Sequence, residues 1–167
     1  IQAHRRIGKS PIIGVTDLLH HFRNQGTFGD PVLFDWWSRL RVANARYLPP
    51  TAAEILHHLR RAPIRDAELE ETSELRTLRR SVASMLLDRD RLQAATVNEH
   101  GQWQMREMEL PLVCYRAVTG ALGELWAGEE PLHNITARAD WLWNNLFVDL
   151  RILRQCFKSS QTAESDL

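Results

Sequence analysis

The sequence predicts a mainly α-helical protein, a bundle-like array of about seven helices with one short strand near its N-terminus. Three observations predict it. Apolar residues recur at steps of three and four through most of the 167 residues. Helix boundary signals divide the chain at short intervals: Asp30 before Pro31, Thr51 three residues before Glu54, and Gly128 followed by Pro131. Only one segment, Pro11, Ile12, Ile13, Gly14 and Val15, is short, apolar, β-branched and bounded like a buried strand.

Composition narrows the function classes. At 44% hydrophobic and 25% charged residues, the chain is that of an ordinary folded domain. Lys plus Arg and Asp plus Glu both number 21, so no global positive field draws in nucleic acid. No apolar run reaches the ~20 residues needed to span a bilayer, since Arg116 interrupts the best candidate, and no signal-like segment follows Ile1. A cytoplasmic protein with no membrane partner is expected. Cys114 and Cys156 lie in apolar helical patterns without CxxC spacing, which favours buried thiols in a reducing compartment. Because the chain opens on Ile1 rather than Met, a preceding segment is expected.

Residues 1–10 are basic, with His4, Arg5, Arg6 and Lys9, and read as a last helical turn closed by Gly8. After the strand at 11–15, Thr16 and Asp17 are the expected caps of a helix through Leu18, Leu19 and Phe22 that stops before Gly26. Asp30 then caps a helix over 31–44 that turns Leu33, Trp36, Trp37 and Leu40 to a core. Beyond the Pro49, Pro50 break, Thr51 and Glu54 form a capping box ahead of Ile55, Leu56 and Leu59.

Pro63 ends that helix, and residues 64–72 form a charged connection where a domain boundary is expected. Ser73 is the next expected cap, and Leu75, Leu78, Val82, Met85, Leu86 and Leu92 keep helical spacing to about residue 93. Residues 94–102 read as a loop. The helical pattern of 103–126 contains Pro111, which removes a donor, so two pieces are expected. Gly120 and Gly123 within it are read as permitting close helix approach. The six tryptophans are read as core side chains, with Trp103 the least certain to fit that spacing.

Residues 134–157 are the expected hub. Ala139, Leu142, Trp143, Leu146, Leu150, Leu153 and Phe157 form one stripe, and Trp141, Val148 and Ile152 another nearly opposite, which predicts a helix sandwiched between partners. Arg138, Asp140, Asn144 and Arg151 fall in the narrow sectors between. Residues 159–167 are polar and are expected to form a disordered tail.

One series of motifs carries a resemblance. Arg6-Ile7-Gly8 is followed by Pro11-Ile12-Ile13-Gly14-Val15-Thr16-Asp17-Leu18-Leu19, by Gly26, and by Leu40-Arg41-Val42-Ala43-Asn44-Ala45-Arg46-Tyr47. Over about a third of the chain this resembles the closing portion of bacterial PIN-domain proteins, a family of metal-dependent ribonucleases. The resemblance implies that residues 1–62 are a remnant of an α/β/α fold and that residues 63–158 are a helical extension. It also implies a parent in which several carboxylates hold Mg²⁺ or Mn²⁺ and the metal activates water for attack on a phosphodiester. The family's acidic positions have no counterpart here and would precede Ile1, so no catalytic residue is expected in this chain. Asp17 is the nearest candidate metal ligand; its alternative role is that of a helix cap.

Other candidates rest on the residues alone. The neighbours His20-His21 and His57-His58 point about 100° apart on a helix, so neither pair chelates zinc as an i, i+4 pair does. Arg60, Arg61, Arg65, Arg76, Arg79 and Arg80 suit a phosphate-tracking patch for RNA. Glu68, Glu70, Glu71 and Glu74 lie among them and suit instead a surface balanced by ion pairs. No P-loop, nucleophile elbow or dinucleotide fingerprint occurs.

The expected function is therefore that of a non-catalytic C-terminal fragment of a PIN-like ribonuclease, carrying a helical protein-interaction module. It needs no cofactor of its own. Its partner would be the preceding part of the parent. The alternative is a self-contained helical scaffold or adaptor that binds another protein.

Overall fold

A computed structural model describes residues 6–7, 10–11, 15–45, 48–96 and 101–147, with side chains described over 15, 18–45, 48–86 and 111–147. The helical class stands: six helices account for most of the described residues, and the strands among them are two residues long. The chain divides into two compact units, Ile1–Tyr47 and Leu48–Leu167.

The first unit opens with β1 (Arg6–Ile7) paired antiparallel with β2 (Ser10–Pro11). Arg6 and Ile7, expected at the end of a helix, are thus in a strand. Val15, expected to end a strand, instead opens α1 (Val15–Asn24), so Thr16 and Asp17 are the second and third residues of the helix rather than its caps. Residues 12–14 lie outside the described residues.

Helix α1 ends where expected, for a reason visible in its hydrogen bonds. The Thr27 amide donates to the Phe22 carbonyl and the Gly26 amide to that of Arg23, both at 3.0 Å, with Gly26 at φ +74°. This is a Schellman closure, which requires a left-handed residue and so favours glycine. Helix α2 (Asp30–Val42) closes the same way on Asn44 at φ 62°, two residues earlier than its apolar pattern suggests. At its start Gly29, not Asp30, occupies the cap position, and Pro31 takes the first turn where its missing donor costs nothing. Asp30 accepts instead from Arg23 Nε at 2.6 Å. Leu33, Phe34 and Trp37 are buried, whereas Trp36, expected in the core, is exposed beneath the Arg39 guanidinium at 5.3 Å.

In the second unit α3 (Ala52–Arg61) begins as expected: Thr51 Oγ1 accepts from the Glu54 amide at 3.2 Å. It ends at Ala62, whose extended backbone (ψ 133°) is what a residue before proline prefers. The charged connection that follows is a hairpin, β3 (Ile64–Arg65) paired antiparallel with β4 (Glu68–Leu69). Its turn residues Asp66 and Ala67 both have positive φ, the signature of a type I′ turn, and Leu69 packs against the core. An Asp-Ala pair carries no glycine to announce that turn.

Helix α4 (Ser73–Thr96) is capped by Thr72 rather than Ser73: Thr72 Oγ1 accepts from the Leu75 amide at 3.3 Å. Residues 94–96, expected in a loop, continue the helix. Helix α5 (Gly101–Ala127) takes in residues 101–102 of that loop and is a single element through Pro111. The lost hydrogen bond costs about 3 kcal/mol in an isolated helix. Here the proline is fully buried, and α5 packs on α3, α4 and α6 (Leu132–Leu146), with core side chains from Cys114 to Leu125 following Pro111.

Among the described residues that packing makes α5 the hub of this unit, with the expected hub represented only by its first part, α6. Cys114, Ala117, Val118, Ala121 and Leu125 meet Ile55, Leu56 and Leu59 of α3, Leu75, Leu78 and Val82 of α4, and Ile135, Leu142 and Leu146 of α6 in one core. Small side chains allow the approach: a Cβ on Gly120 would lie 3.2 Å from that of Ala52, while one on Gly123 would meet nothing within 4 Å. Helix α6 ends at Leu146, with Phe147 extended, so the second half of the expected hub helix lies outside the described residues or outside the helix. Its buried residues, Ile135, Ala137, Arg138, Trp141, Leu142 and Leu146, occupy one broad half of the helix; Val148 and Ile152 of the second expected stripe lie outside the described residues. Trp143 and Trp126, both expected to be buried, are 58% and 57% exposed.

Candidate functional site

Helix α1 carries the clearest unsatisfied surface. Val15, Leu18 and Phe22 follow one another at i, i+3 and i+7, which puts them on one face. They are 59%, 44% and 41% exposed. Opposite in character, Arg23 in the last turn of α1 is tied to Asp30 at the start of α2, the guanidinium holding the Asp30 carboxyl below its ordinary range by hydrogen bond. His20 packs edge-on against the buried Trp37 at 5.4 Å between ring centres and so belongs to the α1 to α2 contact. The side chain of Asp17 lies outside the described residues. Among the described residues no group of three or more His, Cys, Asp or Glu side chains is placed to hold a metal ion.

The six arginines singled out in the sequence are placed on α3, β3 and α4, and most of them turn to partners within the chain. Arg60 Nε meets Glu130 at 3.2 Å, and Arg65 Nε meets Glu70 at 3.2 Å. Arg61 Nη1 donates to His57 Nε2 at 3.1 Å. Arg76 and Arg79 converge on one carboxylate, Glu71, at 3.1 and 2.7 Å, and Arg79 adds a second bond from Nη2 at 3.1 Å. The hydrogen bond from Arg79, followed by that from Arg76, holds the Glu71 carboxyl below the usual range. Arg80 is exposed on α4. This is a surface in which positive charge is matched locally, as the interleaved glutamates suggested.

A charged centre that the periodicity did not single out lies at the end of α3. Arg138 of α6 is buried; its Nε donates to the Leu59 carbonyl at 3.0 Å, its Nη2 reaches the Arg60 carbonyl at 3.5 Å, and its Nη1 binds Glu130. The last carbonyls of a helix have no partner within it and carry its negative dipole end, so a guanidinium there satisfies both the hydrogen bonds and the charge. Glu130, shared between Arg60 and Arg138, completes the set. Helical periodicity puts Arg138 in a sector between two apolar stripes; in the structure it shares the buried half of α6 with Ile135, Leu142 and Leu146, where a cation needs an internal partner.

The remaining sequence candidates are structural or outside the described residues. His58 is buried on α3, and the Glu74 carboxyl is held below its ordinary range by hydrogen bonds, the largest from its own amide. Cys114 is a buried thiol in the core. Cys156, the side chain of Trp103 and residues 159–167 lie outside the described residues. No helix among the described residues is long and apolar enough to cross a membrane. Comparison of the chain with protein-family models, with curated proteins and with solved structures gives no match.

Proposed function

We propose that this chain is a helical interaction module, the non-catalytic C-terminal portion of a PIN-like protein whose preceding part is a Mg²⁺- or Mn²⁺-dependent ribonuclease. The observation that carries the proposal is the bare stripe of Val15, Leu18 and Phe22 on α1. An amphipathic helix places its apolar face against a partner, and three half-exposed apolar side chains in register are a face awaiting one. The partner is the sheet-bearing body of the parent. Any divalent ion would be held there, because a hard cation needs several converging oxygen ligands and Asp17 supplies at most one. The chain's own contribution is to cover and position, not to move a proton or activate water.

One observation favours a second reading. The unit Leu48–Leu167 closes its own core from four helices, as a free-standing adaptor would. The two readings separate on a single comparison. The coding sequence preceding Ile1 is translated, and the extended chain and the present one are compared by hydrogen exchange over α1 and by cleavage of single-stranded RNA with Mn²⁺. The PIN-like reading expects apolar strands with Asp and Glu at their ends in the added segment, slower exchange in α1, and Mn²⁺-dependent cleavage only in the extended chain. Equal exchange of α1 in both chains, with no cleavage, would leave the adaptor reading in its place.

A further inference from the structure

No further inference is drawn: the strongest candidate apart from the α1 stripe, the patch at the end of α6 where exposed Trp143 stacks on Phe147 at 4.1 Å with Tyr115 edge-on beside them, is an unpartnered apolar face and nothing in the structure shows what covers it.

Discussion

Arg138 Nε donates to the carbonyl oxygen of Leu59, 79 residues earlier in the chain, at 3.0 Å. This bond ties the start-to-end direction of α3 to α6, and it does so from a buried guanidinium. Replacing Arg138 by Met keeps the apolar length but takes the guanidinium donors from the Leu59 carbonyl, which keeps only its 3.3 Å bond from the Ala62 amide, and from the Arg60 carbonyl, and frees one side of Glu130. A loss of about 2–4 kcal/mol is expected, read as a lower urea midpoint. Arg138→Lys should recover only part of it, because one ammonium cannot serve both carbonyls and Glu130 in the same geometry. Equal midpoints for wild type and Arg138→Met would show that the cap contributes nothing.

The two glycines of α5 should respond oppositely to added volume. Gly123→Ala relieves backbone entropy and meets no atom within 4 Å, so a gain of about 0.5–1 kcal/mol is expected. A Cβ on Gly120 would lie 3.2 Å from that of Ala52, and Gly120→Val should push the start of α3 from α5 and lower stability by about 1–3 kcal/mol. Thermal unfolding of the pair checks both signs; a stabilised Gly120→Val protein would refute the close approach.

In the β3 to β4 turn, Ala67 sits at φ 64°, a left-handed conformation that costs an L-residue roughly 1–2 kcal/mol. Ala67→Gly should therefore raise stability by about 0.5–1 kcal/mol, offset in part by the freer unfolded chain. The expected outcome is a higher melting temperature with unchanged helical circular dichroism.

The Glu71 pair with Arg79 and Arg76 should be visible in acid. Its carboxyl is held below the ordinary 4.5, so the folded state binds a proton less readily than the unfolded one. The stabilisation is full above 4.5 and is lost as pH falls through the lower folded value. Glu71→Gln should cost about 1 kcal/mol at pH 7, an amount kept small by solvent around both arginines, and that cost should vanish as acid takes the Glu71 carboxyl through its lowered folded value. Urea midpoints for the two proteins across that range test it. A constant difference at all pH values would mean that the charge of Glu71 is not what stabilises.

Helix ends were the most legible feature of the chain because they are local. Thr51 reaches the Glu54 amide three residues on, and Gly26 supplies the backbone that closes α1. The same short range explains the near misses. At 29–30 and 72–73 adjacent residues both suit the cap position, and which of them takes it depends on whether Asp30 is drawn to Arg23 and on the entry of Thr72 into α4. For the arginines, interleaved glutamates foretold a matched surface but not that Glu71 would serve two of them and Glu130 another.

Periodicity by itself determined that this chain is mainly helical, roughly where its helices lie, and that α1 has an apolar face, because a 3.6-residue repeat is written in the order of the residues. Only the tertiary structure decided that α5 is the centre of the second unit among the described residues, that Trp126 and Trp143 stay exposed, that Pro111 is carried inside a helix, and that Arg138 is buried. Burial is a property of pairs of surfaces far apart in sequence. A stripe on one helix states that it needs a partner, and the choice of partner rests on the shapes and charges of residues the stripe does not contain.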